Sequence, residues 1–154
     1  MQRIVLVASV SIIQDNKILM VRERKLSAKD QWNFPSGCVE YGEDILVAAC
    51  RECREETGLD VKLTSTTGVY NFESNTKDQV ILFHFKGEVV GGLLNVEPNE
   101  EISETKWIKI SEFEKFDNKE LREPRVLRQI MYNLTKHNFY PITVFNQTLM
   151  NVSR

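Results

Sequence analysis

With 154 residues, 42% of them hydrophobic, the chain has enough apolar content for one domain with a sizeable core and requires no second one. A formal net charge of −2 provides no general attraction to nucleic-acid polymers or anionic membranes, so phosphate binding has to come from local basic clusters. Three cysteines, Cys38, Cys50 and Cys53, form an odd set that does not read as a disulfide framework and points to a reducing, cytoplasmic setting.

Ile4 to Ile13 is rich in β-branched residues and reads as a strand, far too short to span a bilayer. Asp15-Asn16 then turns the chain into a second strand, Lys17 to Arg22, so a hairpin opens the domain. Glu23 to Gln31 is charged and without apolar period, which predicts a surface loop. Arg22, Arg24 and Lys25 form a basic cluster there that either contacts a phosphate or is simply solvated.

Gly37 to Leu59 is the densest stretch of chemistry. Asp44 has the short polar side chain of a helix N-cap and Gly58 sits where a left-handed residue closes a helix, predicting a helix over Ile45 to Thr57. At about 100° per residue, Glu52, Glu55 and Glu56 fall within an arc of roughly 100°, and Leu46, Ala49, Cys50 and Cys53 fill the adjoining arc expected to face the core. Carboxylates at these spacings repel one another near the unfavourable end of the helix dipole. Arg51, four residues before Glu55, offsets part of that repulsion. A hard divalent cation would offset more, Mg²⁺ first and Mn²⁺ next, because all-oxygen donors suit such ions. The alternative is a solvated acidic face. Cys50-x-x-Cys53 is not read as a zinc or redox pair: both sulfurs lie on the core stripe, no second pair exists, and His84 and His137 are the only histidines.

Val61 to Tyr70 and Gln79 to Val90 read as antiparallel strands around a turn near Ser74-Asn75, followed by a looser stretch from Gly91-Gly92. An acidic loop, Glu97 to Glu101, precedes a strand at Glu104 to Ile110. Ser111 is placed to cap a short helix through Phe116, with Glu114 completing a capping box. A longer helix from Arg125 to Thr135 follows Pro124, with Val126, Ile130 and Leu134 on one face. From Asn138 onward, Phe139, Tyr140, Ile142, Val144 and Phe145 are too apolar for a disordered tail, which should pack on the domain or on a second subunit as a homodimer.

The stretch from Gly37 resembles the Nudix box, G-x5-E-x7-R-E-U-x-E-E-x-G-U, where U is a bulky apolar residue: Gly37, Glu43, Arg51, Glu52, Glu55, Glu56, Gly58 and Leu59 all match. Cys53 departs from it in an aliphatic position, and Ser36 replaces the first glycine of the usual pair. Trp32 and Pro35 ahead of the box, and Trp107 on a strand after an acidic loop, are similar to the same family. The resemblance implies an α/β fold, an α/β/α sandwich with a mixed central sheet, with 1–154 as a single domain and 138–154 as a C-terminal extension. It implies hydrolysis of a diphosphate bond in a nucleoside diphosphate linked to another group, with Mg²⁺ as cofactor and Mn²⁺ as substitute. In that reading Glu52, Glu55 and Glu56 hold the metal, Arg51 orients Glu55 or the loop, and Glu43 supports the arginine while Gly37 and Gly58 shape the loop and helix end. Glu55 or a loop acid near Glu100, with Glu101 and Glu104 as neighbouring candidates, is the base. Arg22, Arg24, Trp32 and Phe72 are the candidate substrate contacts. A nucleotide-binding module without hydrolysis is the alternative.

Overall fold

The turn at Asp15-Asn16 has both residues at positive φ, 51° and 59°, the conformation of a two-residue hairpin turn that Asp and Asn tolerate. It joins strand β1 (Ile4–Gln14) to β2 (Lys17–Glu23) in a computed structural model that describes residues 2–95 and 97–150. The two strands then diverge. Only Ile13 and Gln14 of β1 pair with β2, whereas Ile4 to Ile12 run parallel to β6 (Gln79–Gly92) and Val7 to Ser9 run antiparallel to β4 (Ser36–Cys38). β6 pairs antiparallel with β5 (Leu59–Glu73), whose other edge carries β8 (Tyr140–Pro141). β2 is flanked by β3 (Trp32–Asn33) and β7 (Ile102–Lys109). Among the described residues the result is an eight-stranded mixed sheet.

Helices cover both of its faces. Leu46, Ala49 and Cys53 of α1 (Ile45–Thr57) pack with Ala8, Val10 and Phe85 on one side. On the other, Val126, Ile130 and Leu134 of α3 (Pro124–Thr135) join Phe34, Val80 and Leu82, with Phe113 of α2 (Ile110–Phe113). The α/β/α sandwich expected from the sequence is the fold observed.

Local details differ where tertiary contacts outvote local signals. Ser111 does not cap α2. That helix starts at Ile110 directly off β7, because the Ile110 N–H is taken by the Asn16 carbonyl at 3.0 Å, and the capping box forms instead between Asp117 and Glu120. Gly91 and Gly92 are not loose: they pair with Asp60 and Leu59 at the end of the β5–β6 ladder. The stretch Glu23 to Gln31 is not wholly a surface loop: Glu23 ends β2 and is buried, and a 3-10 turn follows at Leu26–Ala28. The tail packs on the domain. Tyr140 and Pro141 extend the sheet, and the Phe145 ring lies 5.0 Å from that of Phe85 and 5.9 Å from that of Phe83. Residues 151–154 of the expected extension lie outside the described residues.

One polar cluster sits inside the sandwich. His84 is fully buried, with Nδ1 2.9 Å from Ser9 Oγ and Nε2 2.5 Å from Ser11 Oγ. Burial pushes its pKa from 6.5 down to about 3. The folded state therefore holds a neutral imidazole while the unfolded chain takes up a proton below pH 6.5. This contribution to stability is complete above that pH and is lost as pH falls towards 3, at about 1.4 kcal/mol per unit. Urea unfolding at pH 6.5 and 4.5 should differ by about 2–3 kcal/mol more for the wild type than for a His84→Gln variant. Parallel pH profiles for the two proteins would contradict this origin.

Candidate functional site

Helix α1 is delimited by its own sequence. Asp44 Oδ2 accepts the N–H groups of Leu46 at 2.9 Å and Val47 at 3.2 Å, and Gly58, at φ 82°, donates its N–H to the Arg54 carbonyl at 2.8 Å. The loop entering the helix is closed by the Glu40 N–H on Glu43 Oε1 at 3.0 Å.

The three acids of the helix are not presented together. Glu52 and Glu56 are buried, at 9% and 6% exposure, whereas the Glu55 side chain is 51% exposed. The reason lies in β4. Gly37 has no Cβ, and the Glu52 carboxyl occupies the space that a Cβ would fill. The adjacent Ser36 N–H donates to Glu56 Oε1 at 3.0 Å. The strand thus draws two carboxylates inward that a helical projection assigns to the surface.

Arg51 binds the loop and helix into one unit. Its Nε and Nη2 donate to Glu43 at 2.6 and 2.9 Å, Nη1 donates to Glu52 at 2.8 Å and to both oxygens of Glu55 at 3.1 Å, and Nη2 also reaches the Cys38 carbonyl at 3.0 Å. The hydrogen bond from Arg51 holds Glu43 below the usual carboxylate range, and Glu43 in turn is the largest influence keeping Arg51 charged. Burial pushes Glu52 up against the opposing pull of Arg51. Burial pushes Glu56 up much further, with Glu23, Glu52 and Glu101 adding to it and the Ser36 N–H opposing it.

A third acid completes the cluster. Carboxylate oxygens of Glu52, Glu56 and Glu101 lie within 4.8 Å of one another, while Glu100 is exposed outside the group and Glu104 pairs with Arg22 at 3.7 Å. The loop carrying Glu101 is built by Asn99, whose Oδ1 accepts the N–H groups of Glu101 at 2.9 Å and Ile102 at 2.8 Å. Arg24 braces it, with Nη1 donating to the Asn99 carbonyl at 2.7 Å and its own N–H to the Glu101 carbonyl at 2.9 Å. Three hard oxygen donors, two of them buried carboxylates whose proton affinity burial raises, fit a divalent cation, whose charge would relieve the burial of Glu52 and Glu56 and the mutual repulsion of all three.

Of the four candidate substrate contacts, three have partners within the protein. Arg24 holds the acidic loop. Arg22 lies over the Trp32 ring, 5.7 Å from its centroid, and donates to the Asp30 carbonyl at 3.2 Å. Trp32 is buried, 6.4 Å from the Phe116 ring. Phe72 does line a cleft, of about 350 Å³, that opens beside Ser36 and Gly37 between apolar walls such as Val7 and Leu82. Its polar floor escaped sequence reasoning. Arg122 Nη1 donates to both oxygens of Glu23 at 2.8 and 2.9 Å, and Asn33 Nδ2 donates to Glu23 Oε2 at 3.1 Å. The only available signal was that Glu23 continues the row of Leu19 and Val21 along β2, a period-two position that is buried in both predecessors.

A family model described as NUDIX domain matches residues 3–130. The chain is 39% identical over 84 residues to a protein named ADP-ribose pyrophosphatase from Methanocaldococcus jannaschii, covering 54% of this chain and 50% of that protein. It is 30% identical over 95 residues to a putative 8-oxo-dGTP diphosphatase of Bacillus subtilis, covering 62% of this chain and 59% of that one. The chain thus spans half to three fifths of the length of these two curated relatives. Among solved structures, a NUDIX hydrolase from Nitrosomonas europaea superposes with a TM-score of 0.84 at 25% identity, covering 94% of this chain and 97% of that one. A MutT protein from Methanosarcina mazei, at 22% identity and TM-score 0.75 over 89% of this chain and 96% of its own, shares the fold. With the family model spanning most of its length, the chain belongs to the NUDIX domain family.

Proposed function

We propose that the protein hydrolyses a diphosphate bond in a nucleoside diphosphate linked to another group, with Mg²⁺, or Mn²⁺ in its place, held by Glu52, Glu56 and Glu101. The observation that carries this reading is the convergence of those three carboxylates beside a cleft of about 350 Å³. The names of the archaeal and bacterial relatives, a pyrophosphatase and a diphosphatase, support the same reaction class. When bound, the cation supplies neutralisation of the diphosphate charge and acidification of a nearby water.

The chain's own residues supply the rest. Arg51 fixes the loop through Glu43 and keeps Glu52 and Glu55 on one side of the helix. Glu55, half-exposed and held by Arg51 at 3.1 Å, would accept a proton or join the metal ligands on rotating off that contact, and it is the proposed base in place of Glu100. Asn99 and Arg24 hold Glu101 against the other two acids. The whole chain acts as one domain, with 138–154 as an extension of it.

The test is a panel of diphosphate compounds, including ADP-ribose, 8-oxo-dGTP, nucleotide sugars and dinucleoside polyphosphates, assayed in Mg²⁺ with product analysis. Release of a nucleoside monophosphate, phosphate or diphosphate, abolished by a chelator, is expected. Nucleotide binding without any product would replace this reading with that of a non-hydrolytic module.

A further inference from the structure

We infer that the buried Glu23–Arg122 pair is the part of the cleft that selects the substrate, by binding the edge of a nucleobase that carries two adjacent hydrogen-bond acceptors. The inference deepens the proposed function and rests on it for the nucleotide character of the ligand.

The pair is hard to explain by stability. Glu23 is 4% exposed and the Arg122 side chain 23%, so both ions have lost most of their water. Buried ion pairs are often matched or surpassed in stability by apolar residues of the same shape, because desolvation consumes the Coulombic gain. This one sits on the floor of a cleft whose walls include Val5, Val7, Phe72 and Leu82. Apolar side chains beside a polar pair suit a planar ring, which is apolar on its faces and polar at its edge, better than a phosphate.

Hydrogen-bond valences identify which group remains to be used. Asn33 is committed: Nδ2 donates to Glu23 at 3.1 Å and to Ser36 Oγ at 3.2 Å, and Oδ1 accepts the Phe34 N–H at 2.9 Å. Arg122 spends Nη1 on both oxygens of Glu23 and its backbone N–H on the Trp32 carbonyl at 2.9 Å. Its Nε and Nη2 have no partner among the described residues. A guanidinium clamped on one nitrogen presents its remaining N–H groups as a rigid fork, which matches two acceptors side by side on one edge. Guanine offers such an edge through O6 and N7, whereas adenine places a donor, the N6 amine, beside N7. Glu23 offsets the charge of Arg122, Arg3 at the same cleft is paired with Asp78 at 3.1 Å, and the remaining charged lining residues, Lys25 and Glu123, are of opposite sign, so the cleft has no net positive charge and favours a neutral ring over a further phosphate.

The floor is also wired to the acids. Asn33 reaches Ser36 Oγ, and the Ser36 N–H reaches Glu56 Oε1 at 3.0 Å, so a base seated on Arg122 lies one continuous hydrogen-bonded path from the metal-binding cluster.

The experiment compares GDP-ribose with ADP-ribose in kcat/KM, and GMP with AMP in calorimetric binding, for the wild type and for the double variant Glu23→Gln/Arg122→Met, which removes both charges together. The wild type should favour the guanine compound of each pair by about 10–100-fold, the worth of one bidentate arginine contact. The double variant should lose that preference and keep a cooperative melt. Glu23→Gln alone, which retains the shape and the acceptor for Asn33, should weaken the preference in the same direction and serves if the double variant does not fold. A wild type without guanine preference, or variants that retain it, would overturn the inference. Should neither ribose compound be hydrolysed, the proposed reaction is decided by the wider panel of diphosphate compounds, while the GMP and AMP titrations still decide the role of the pair.

Discussion

Glu56→Gln is expected to abolish most of the Mg²⁺-dependent turnover while leaving the protein folded and more stable. Loss of even an outer partner of a metal site costs about 10–100-fold, so removing a charged ligand should exceed ~100-fold. Glutamine keeps the side-chain length and an oxygen for the Ser36 N–H, now 3.0 Å from Glu56 Oε1. What changes is the charge. In the folded state burial raises the Glu56 pKa well above 4.5, so between that value and the raised one the unfolded chain ionises more readily and stability declines as pH increases. A neutral glutamine does not carry that penalty. Thermal melts at pH 7 should therefore rise, by about 2–4 °C for each kcal/mol relieved in a chain of this size. Kinetics over a Mg²⁺ series, paired with melts, separate the two effects: undiminished turnover would remove Glu56 from the ligand set, and a lowered melting temperature would contradict the burial argument.

Gly37→Ala should be nearly as damaging to activity for a different reason. Gly37 does not adopt a positive φ, so the backbone itself accepts alanine. The obstacle is the Glu52 carboxyl, which stands where the new methyl would go. Displacing that carboxyl breaks its 2.8 Å contact with Arg51 Nη1 and moves it away from Glu56 and Glu101. A misplacement of about 1 Å in a catalytic group costs on the order of 100-fold, and that is the expected loss in kcat/KM. Shortening the acid should recover part of it, so Gly37→Ala/Glu52→Asp is expected to outperform Gly37→Ala. If the single variant matches the wild type, the close packing of β4 on α1 has no functional weight.

These two positions also mark how far the sequence could be read. The limits of α1 were legible because Asp44 and Gly58 act within a few residues of themselves, and the hairpin at Asp15-Asn16 was legible for the same reason. The inward position of Glu52 and Glu56 was not, since a helical projection has no knowledge of a strand that lacks a Cβ at Gly37. Selecting Glu101 over Glu100 depends on Asn99 folding the loop back on itself, and on Arg24, whose Nη1 reaches the Asn99 carbonyl. The cap expected at Ser111 lost to the Asn16 carbonyl, a group 94 positions away from Ile110. Glu23 and Arg122, 99 residues apart, carry no local signature. Their pairing follows from the sheet placing the end of β2 near the entry to α3.

The tail bears on where this folding unit can be cut. The family match stops at residue 130, yet α3 continues to Thr135 with Leu134 at 3% exposure. Beyond it, β8 occupies part of the outer edge of β5, and Phe145 shields Phe83 and Phe85 on the face that α1 also covers. A shortened chain ending at the matched boundary would bare two aromatic rings and a stretch of unpaired strand edge at once, the combination that drives sheets to associate with each other. A chain cut after residue 130 is therefore expected to self-associate, as light scattering would show, and expression boundaries should be drawn beyond Phe145.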